Sequence, residues 1–356
     1  MIEGVKRALV LAPHTDDGEF GCGATMVRLV EQGADVRYVA FSIATRSLPD
    51  GFAPDTLARE VRDADLLLMC YAQIPAQVID AATRLKGIVK YGVGIDAIDI
   101  PAATRRGIPV VNIPEYAEET VAEGAMALML GLARRFKPLQ RQMETEGWAW
   151  PEQRWLASDL AGKTLGLVGV GRIGRSVARM AGQGFRMRVL GYDPHVDATP
   201  MQRAGVEKCD DLVAMLGRCD VVSLHCVLNA DTRRSIGERE FAAMKSSAWL
   251  VNVSRGALVD EAALVHALTT QRIAGAGLDV YSDEPLALAG HPLSPLFAMD
   301  NVLLWPHLTF YTHEAMARLE DETLERCFEM LEGRPVLVKS HDPRLRAQEA
   351  GVRFAD

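Results

Sequence analysis

The chain has 356 residues, of which 49% are hydrophobic, and a formal net charge of -8 at pH 7. This amount of apolar material supports a large core and predicts a globular protein with two domains. The negative charge and the lack of a long Lys/Arg run exclude a nucleic-acid-binding or anionic-membrane surface, because such surfaces need clustered cations. We therefore expect the partner to be a small molecule.

Two further patterns argue against membrane and disulfide-rich classes. No apolar run approaches the roughly 20 residues of a membrane span, and the first run, 8–12, is far shorter than a signal-peptide core. The six cysteines lack CxxC spacing, so the sequence predicts neither a disulfide framework nor a zinc knuckle. We expect a cytoplasmic location.

Apolar, β-branched runs alternate with helical patterns along the chain. The first third contains ALVLAP, DVRYVAF, DLLLMC, GIVKYG and IPVVNI, and the remainder contains TLGLVGV, RVLGYD, DVVSLH, WLVNVS, GAGLDV and NVLLWPH. Such alternation is typical of parallel sheets that helices cover on both faces. We predict an α/β protein with two doubly wound parallel sheets, one built from the first five runs and one from the last six.

Two helical patterns connect these groups of strands. Residues 118–136 begin with two glutamates and end with two arginines, which matches the sign of the helix dipole at each end. We interpret this helix as the first crossover between domains. The stretch from His313 to Leu331 leads the chain back to the first domain, and we expect a loosely ordered tail after Ser340.

The polar segment 137–160 fits neither sheet. It carries Trp148, Trp150 and Trp155, and we expect it to project from the body of its domain. Exposed aromatic side chains on such an arm favour a partner subunit, so the sequence predicts a homodimer.

A glycine-rich turn follows the strand TLGLVG. It spans residues 169–174, GVGRIG, and leads into the helical pattern RSVARMAGQG. Between a strand and a helix, GxGxxG spacing is typical of a dinucleotide site. Gly169 permits the tight turn, Gly171 lets the backbone approach a pyrophosphate, and Gly174 lets the helix pack closely on the strand.

The next predicted strand ends at Asp193, nineteen positions after Gly174. A carboxylate there accepts hydrogen bonds from a ribose 2'-hydroxyl and repels a 2'-phosphate. The sequence therefore favours NAD over NADP as cofactor. His195 and Arg188 are the nearby cations, and we expect each to have a solvated surface role.

Three later motifs each follow a strand of the second sheet. They are VNVSRGALVDE (251–261), GLDVYSDEP (277–285) and WPHL (305–308). Ligands of open α/β sheets bind beyond the carboxyl ends of the strands. Arg255, Glu284 and His307 are therefore expected to converge beside the nicotinamide.

With these motifs, residues from about 62 to 344 resemble the D-isomer-specific 2-hydroxyacid dehydrogenases, a family that also includes NAD-sensing co-repressors. The resemblance implies a Rossmann NAD-binding domain, 118–307, inserted in a flavodoxin-like substrate domain, 1–117 plus 308–356. It implies hydride transfer between NADH and a 2-oxo acid, which yields a 2-hydroxy acid.

The same resemblance implies a role for each residue of the site. Arg255 would grip the substrate carboxylate and polarise the carbonyl, and His307 would be the acid/base. Glu284 would hydrogen-bond His307, fix its tautomer and favour the imidazolium. The implied substrate residues are Lys90, Tyr91, Val93 and Gly94. The further implied cofactor residues are Arg172, Ile173, His225, Cys226, Thr232, Val253, Ser254 and Asp279.

Three positions depart from the residues that the family commonly has. Gly124 replaces the histidine of a VAEH motif, Val227 replaces a proline, and Leu308-Thr309-Phe310 replaces small residues after the catalytic histidine. We expect these changes to alter the substrate and to leave the reaction class unchanged.

The first 61 residues resemble a different family, the zinc-dependent N-acetylglucosaminyl deacetylases. His14, Asp16 and Asp17 match that family's His-x-Asp-Asp motif, in which the histidine and the second aspartate bind zinc. A hydrolytic zinc needs three protein ligands, and the family's distal histidine lies in a region that this chain lacks. We therefore predict a deacetylase-like βαβ segment that supplies two strands to the first sheet and holds no metal.

Three functions follow from these patterns. The first is an NAD-dependent dehydrogenase of D-2-hydroxy acids. The second is an NAD-responsive binding protein, which would bind NADH tightly and turn over no oxo acid. The third is a zinc hydrolase that uses His14 and Asp17, which would contain metal and lose activity on chelation.

Overall fold

A computed structural model describes residues 7–12, 30–31, 35–40, 53–70 and 72–355. It contains two compact units. Unit 1 comprises Met1–Ala117 and Thr312–Asp356, and unit 2 comprises Glu118–Tyr311. None of the helices that the structure describes is long and apolar enough to cross a membrane.

Unit 1 contains a five-stranded parallel sheet with strand order β2-β1-β3-β4-β5. Its strands are β1 (Arg7–Ala12), β2 (Asp35–Ala40), β3 (Leu66–Met69), β4 (Gly87–Lys90) and β5 (Val110–Asn112). This is the flavodoxin-like order. The five predicted runs therefore form one sheet, as expected, and β1 and β2 are adjacent parallel strands at one side of it.

Unit 2 contains a seven-stranded parallel sheet with strand order β12-β11-β10-β9-β6-β7-β8. Its strands are β6 (Thr164–Val168), β7 (Arg188–Tyr192), β8 (Glu207–Lys208), β9 (Val221–Leu224), β10 (Trp249–Asn252), β11 (Gly275–Leu278) and β12 (Val302–Leu304). Six of these strands match the predicted runs. The prediction missed β8, because two polar residues at a sheet edge carry no apolar pattern.

Twelve α-helices lie within the described part of the chain. They are α1 (Pro54–Val61), α2 (Ala76–Ala81), α3 (Ile100–Arg105), α4 (Glu118–Ala133), α5 (Phe136–Glu146), α6 (Arg172–Arg179), α7 (Ala198–Arg203), α8 (Leu212–Leu216), α9 (Glu238–Ala243), α10 (Glu261–Thr269), α11 (His313–Leu331) and α12 (Pro343–Arg346). The predicted crossover helices correspond to α4 and α11. Thr312 begins α11 by accepting a hydrogen bond from the N–H of Ala315.

The second boundary between the units differs from the sequence prediction by four residues. We expected the chain to return to the first domain after His307, but residues 308–311 belong to unit 2. The reason is that the carboxylate of Asp279 accepts hydrogen bonds from the N–H groups of Leu308 and Thr309. These bonds hold the segment on the sheet that supplies Asp279.

The expectation of a loose C-terminal tail is wrong. After Ser340 the chain forms α12 and then β14 (Val352–Phe354), which pairs in parallel with β13 (Val336–Val338). The side chain of Gln348 is buried. Its Oε1 accepts from Val110 N at 2.7 Å, and its Nε2 donates to Val110 O at 2.9 Å. The tail thus provides hydrogen-bond partners for the backbone N–H and C=O of Val110 in the edge strand β5.

The arm 137–160 begins with α5 and carries exposed aromatic side chains. Trp150 is 73% exposed, Trp148 is exposed as well, and so is Phe136, which directly precedes the arm. Lys137 ties the start of the arm to unit 2, since its ammonium donates to the carbonyl oxygens of Phe297, Met299 and Val302.

Candidate active site

The glycine loop of unit 2 has the geometry that its three roles require. Gly169 has φ +94°, and a Cβ built there would lie 2.5 Å from the backbone nitrogen of Cys226. A Cβ at Gly174 would lie 2.5 Å from the carbonyl oxygen of Gly169, so α6 packs directly against the turn. By contrast, no described heavy atom comes within 4 Å of a Cβ at Gly171. That open space is where a bound pyrophosphate needs backbone access.

Asp193 follows β7 and faces the same loop. Its Oδ2 accepts from Val170 N at 2.9 Å, and its Oδ1 accepts from His195 N at 2.9 Å. The carboxylate thus stands beside the turn, as a residue that binds a ribose hydroxyl must. Arg188 forms an ion pair with Glu207 at 2.6 Å, which agrees with the surface role that we expected for it.

The first residues of α6 are linked to α4. The Nε of Arg172 lies 3.2 Å from a carboxylate oxygen of Glu118, and the hydroxyl of Ser176 donates to Glu119 at 3.0 Å. Ile173 is half-buried in the same turn. These contacts fix the helix end that faces the phosphates.

The end of β9 lies beneath the glycine loop. The Nε2 of His225 is 2.8 Å from the hydroxyl of buried Ser223. The residue as a whole is half-buried, and burial of the ring lowers the pKa of His225 to about 3. Burial also raises the pKa of the neighbouring Cys226 thiol to about 11. Both side chains are therefore neutral at pH 7.

The other predicted cofactor residues surround the ends of β9 and β10. The Ser254 hydroxyl donates to Cys226 O at 2.7 Å, and Val253 is buried next to it. The Thr232 hydroxyl donates to Val227 O at 2.7 Å, which closes the loop after β9.

Two of the three predicted catalytic residues are in direct contact. The Nδ1 of His307 lies 2.9 Å from Oε2 of Glu284, with 30% and 31% of the side chains exposed. The other oxygen, Oε1, accepts from Tyr281 N at 2.9 Å. Partial burial raises the pKa of Glu284, but the hydrogen bond and charge of His307, the Tyr281 N–H and the charge of Arg255 outweigh it. The net pKa lies below its ordinary value, so Glu284 is ionised at neutral pH.

Arg255, the third predicted catalytic residue, is fixed through its backbone. Asn252 Nδ2 donates to Arg255 O at 2.9 Å, and the guanidinium donates to Ser254 O at 2.7 Å. A Cβ at the following Gly256 would lie 1.9 Å from the carbonyl carbon of Tyr281, so only glycine allows this close approach. The structure thus brings the Arg255 segment next to the loop that carries Glu284.

His307 itself has φ +59°, which is unusual for a residue with a side chain. The segment is held on both sides of it. Trp305 N donates to Leu278 O at 2.8 Å, and the Tyr281 hydroxyl donates to Trp305 O at 2.7 Å. On the other side, Asp279 binds the two residues that follow the histidine.

The comparisons with known proteins agree with this geometry. Residues 126–309 match the model of the D-isomer specific 2-hydroxyacid dehydrogenase, NAD binding domain. The chain is 40% identical over 295 residues to a glyoxylate reductase of Korarchaeum cryptofilum, which covers 82% of this chain and 87% of that protein. The chain belongs to the D-isomer-specific 2-hydroxyacid dehydrogenase family.

Two further similar proteins have names that refer to other substrates. A D-3-phosphoglycerate dehydrogenase of Methanocaldococcus jannaschii is 38% identical over 80% of this chain, but the chain spans only 53% of that protein's length. A D-lactate dehydrogenase of Aquifex aeolicus, solved with NAD and lactic acid, superimposes with a TM-score of 0.78 at 28% identity. That match covers 92% of this chain and 96% of the other. The predicted fold class is thereby confirmed. At the level of the family, the comparisons also confirm the predicted reaction class and the predicted cofactor. The family consists of NAD-dependent oxidoreductases of 2-hydroxy acids.

The predicted substrate residues lie in unit 1. Lys90 is buried, and its ammonium donates to Tyr91 O at 3.1 Å and to the carbonyl oxygen of Cys70. Lys90 is therefore not a solvated surface lysine. Val93 is exposed and Gly94 half-buried, and Asn112 Nδ2 donates to Val93 O at 2.6 Å. The substrate roles of Lys90, Tyr91, Val93 and Gly94 stay predictions.

Sequence reasoning missed the structural roles of three residues that hold the dehydrogenase site together. Asn252 and Tyr281 are buried and bind the backbones of Arg255 and Trp305, respectively. The Thr309 hydroxyl donates to Asp279 at 2.6 Å. All three lie within or next to the motifs quoted above, and this position could have indicated a role at the site. Their hydrogen-bond partners could not be predicted from the spacing of residues.

Asp279, which we predicted to be a cofactor contact, is completely buried. Burial raises its pKa, and the hydrogen bonds from Thr309 and the charge of His307 offset only part of this effect. Three donors of residues 308–309 occupy its carboxylate. A cofactor role for Asp279 stays a prediction.

The deacetylase-like motif of His14, Asp16 and Asp17 lies outside the described residues. Among those that the structure describes, no group of three or more His, Cys, Asp or Glu is placed to hold a metal ion.

Proposed function

We propose that this protein reduces a 2-oxo acid to a D-2-hydroxy acid with NADH, reversibly, and that His307 is the acid/base. The observation that carries the proposal is the contact of His307 with an ionised Glu284 near Arg255. The relatives named above support the same class of substrate.

The glycine loop fits the proposed cofactor. The open space at Gly171 admits phosphates, and Asp193 offers a carboxylate to a ribose hydroxyl. Residues Arg172, Ile173, His225, Cys226, Thr232, Val253 and Ser254 would complete the site. Bound there, NADH supplies the hydride that adds to the carbonyl carbon.

His307 supplies the proton in this reaction. Because a carboxylate only accepts hydrogen bonds, Nδ1 of His307 carries a proton and donates it to Glu284. In the imidazolium form Nε2 carries a second proton, which it donates to the carbonyl oxygen as the C=O bond becomes C–OH. In the reverse direction the same nitrogen removes the hydroxyl proton.

Arg255 binds the substrate carboxylate. A guanidinium presents a planar fork of donors that matches the two oxygens of a carboxylate. The charge of Arg255 acts on Glu284, so we expect a carboxylate bound by the guanidinium to leave the carbonyl of a 2-oxo acid near His307. This binding orients the substrate before hydride transfer.

The test is the rate of NADH oxidation against a panel of 2-oxo acids that starts with glyoxylate, pyruvate and hydroxypyruvate. We expect turnover of at least one member, and a loss of about 100-fold or more in His307→Ala, because the proton donor is removed. His266→Ala, an exposed histidine of α10, is the matched control. Tight NADH binding without turnover on any acid would support an NAD-responsive binding protein instead.

We also propose that the protein is a homodimer assembled through the arm 137–160. The exposed aromatic residues Trp148 and Trp150 of the arm, together with Phe136 directly before it, support this proposal. Analytical ultracentrifugation should give twice the chain mass, and Trp150→Glu should shift the protein toward monomer. A wild-type monomer would contradict the proposal. The cytoplasmic location stays a prediction.

The resemblance of residues 1–61 to deacetylases suggests common descent, and we propose that His14, Asp16 and Asp17 no longer bind metal. NADH-dependent activity should be insensitive to chelators. The reason is that a hydrolytic zinc site needs three protein ligands and the motif supplies only two. One equivalent of zinc in the purified protein would contradict this proposal.

A further inference from the structure

Gly124 and Thr309 are in contact in unit 2. Gly124 belongs to α4, and a Cβ built on it would lie 2.7 Å from Cγ2 and 2.8 Å from Cβ of Thr309. Real Cβ atoms essentially never approach this closely, so Thr309 fills the space that a side chain at position 124 would need. Both positions depart from the residues that the family commonly has. The two departures are therefore complementary, since the side chain that position 124 lacks leaves the space that the Thr309 side chain occupies.

The Thr309 side chain does more than fill this space. Its hydroxyl donates to Asp279 Oδ2 at 2.6 Å, and its N–H donates to the same oxygen at 3.2 Å. The N–H of Leu308 donates to Oδ1 at 2.9 Å. Because Asp279 is completely buried, each donor matters, since a buried carboxylate without its partners is strongly destabilised.

These bonds bear directly on His307. A backbone in the left-handed region persists only where its surroundings over-determine it. Before His307, hydrogen bonds hold Trp305, and after it the three hydrogen bonds that residues 308 and 309 donate to Asp279 converge on one carboxylate. Thr309 is the residue that contributes two of those later bonds.

We propose that Thr309 is a positioning residue for His307: its hydroxyl completes the binding of residues 308–309 by Asp279, and Gly124 provides the room for it. The segment is thus locked, and the imidazole is kept against Glu284. The inference rests on the proposed function only in taking His307 as the acid/base.

The first test compares Thr309→Val with Thr309→Ser. Valine keeps the shape and removes the donor, whereas serine keeps the donor. In Thr309→Val we expect kcat to fall about tenfold to 100-fold with KM and NADH affinity little changed, because a loosened histidine impairs the chemical step more than binding. Hydrogen exchange of the amides of residues 307–309 should become faster. Thr309→Ser should restore both quantities to near wild type.

The second test measures the coupling between the two positions. Gly124→Ala should lower Tm in the wild-type background, because the added Cβ meets Thr309. It should have little effect in a Thr309→Gly background, where the nearest remaining atom, the Cα, is 3.4 Å away. Equal losses in both backgrounds would overturn the proposed packing.

The outcomes separate this inference from the proposed function. A wild type that turns over no 2-oxo acid would end the proposed function, while hydrogen exchange would still decide whether Thr309 orders the segment. An active wild type whose Thr309→Val variant keeps normal kcat and normal exchange would overturn the positioning role. In that case the dehydrogenase assignment would stand.

Discussion

Glu284 accepts a hydrogen bond from His307 Nδ1 at 2.9 Å while its other oxygen accepts from the backbone N–H of Tyr281. The carboxylate is therefore held on both sides and cannot turn away from the imidazole. Its pKa is lowered from the ordinary value of 4.5. A carboxyl group with a lowered pKa is fully charged at any pH well above its ordinary pKa, and it loses the charge only at acidic pH. Glu284 is therefore charged throughout the neutral range.

We expect Glu284→Gln to change the pH profile of the reaction. Reduction needs a protonated His307, and a negative charge beside the ring favours that form. In Glu284→Gln the decline of the reduction rate with rising pH should move to lower pH. Asp283→Asn, which removes an exposed carboxylate from the same loop, is the matched control. An unchanged profile in Glu284→Gln would remove Glu284 from its proposed role.

Alanine at two glycines of the loop should affect two different properties, stability in one case and NADH binding in the other. Gly174→Ala should cost about 1–3 kcal/mol of stability, because its Cβ would overlap the carbonyl oxygen of Gly169. Gly171→Ala should leave stability nearly unchanged, since no described atom lies near the added Cβ. It should instead weaken NADH binding by about tenfold, because the methyl group enters the space for the pyrophosphate. Thermal unfolding and NADH titration measure the two effects. Unweakened binding in Gly171→Ala would contradict a pyrophosphate site there.

His225 should make the protein sensitive to mild acid. Its pKa is lowered from 6.5 to about 3 in the folded chain, so between these values the unfolded chain binds a proton that the folded chain does not. Its contribution to stability is complete above pH 6.5 and is lost as pH falls toward 3. His225→Gln should reduce the loss of stability between pH 7 and pH 5 by about 1–2 kcal/mol in denaturant titrations. His266→Gln is the exposed control. If the two variants respond to pH alike, His225 is not the group responsible.

Gln348 should be needed for the stability of unit 1. Replacement by leucine would leave the buried N–H and C=O of Val110 without the amide that binds them. We expect a loss of about 2–4 kcal/mol in urea unfolding, because unsatisfied buried groups cost their desolvation energy. Glu349→Leu changes the exposed neighbouring residue and should cost little. Equal losses in the two variants would contradict a specific role for Gln348.

Local patterns were sufficient for much of the fold and the candidate site. All five strands of the first sheet and six of the seven in the second were predicted, because β-branched apolar runs between helical patterns are a local property. The glycine loop was predicted for the same reason. Its positive-φ turn, open position and helix contact lie within six consecutive positions, although a Cβ at Gly169 would also meet the backbone of Cys226.

The sequence alone determined where eleven of the twelve strands of the two large sheets lie, and it supplied the turn and the residues that we propose for the cofactor and the chemistry. Only the tertiary structure decided how His307 is held, because Gly124, Asp279 and Thr309 lie far apart in the chain and meet only when α4 packs beside the end of β11. The same holds for the tail, where Gln348 finds its partner at the edge of β5. Contacts of this kind depend on volume and hydrogen-bond direction in three dimensions, and no spacing rule encodes them.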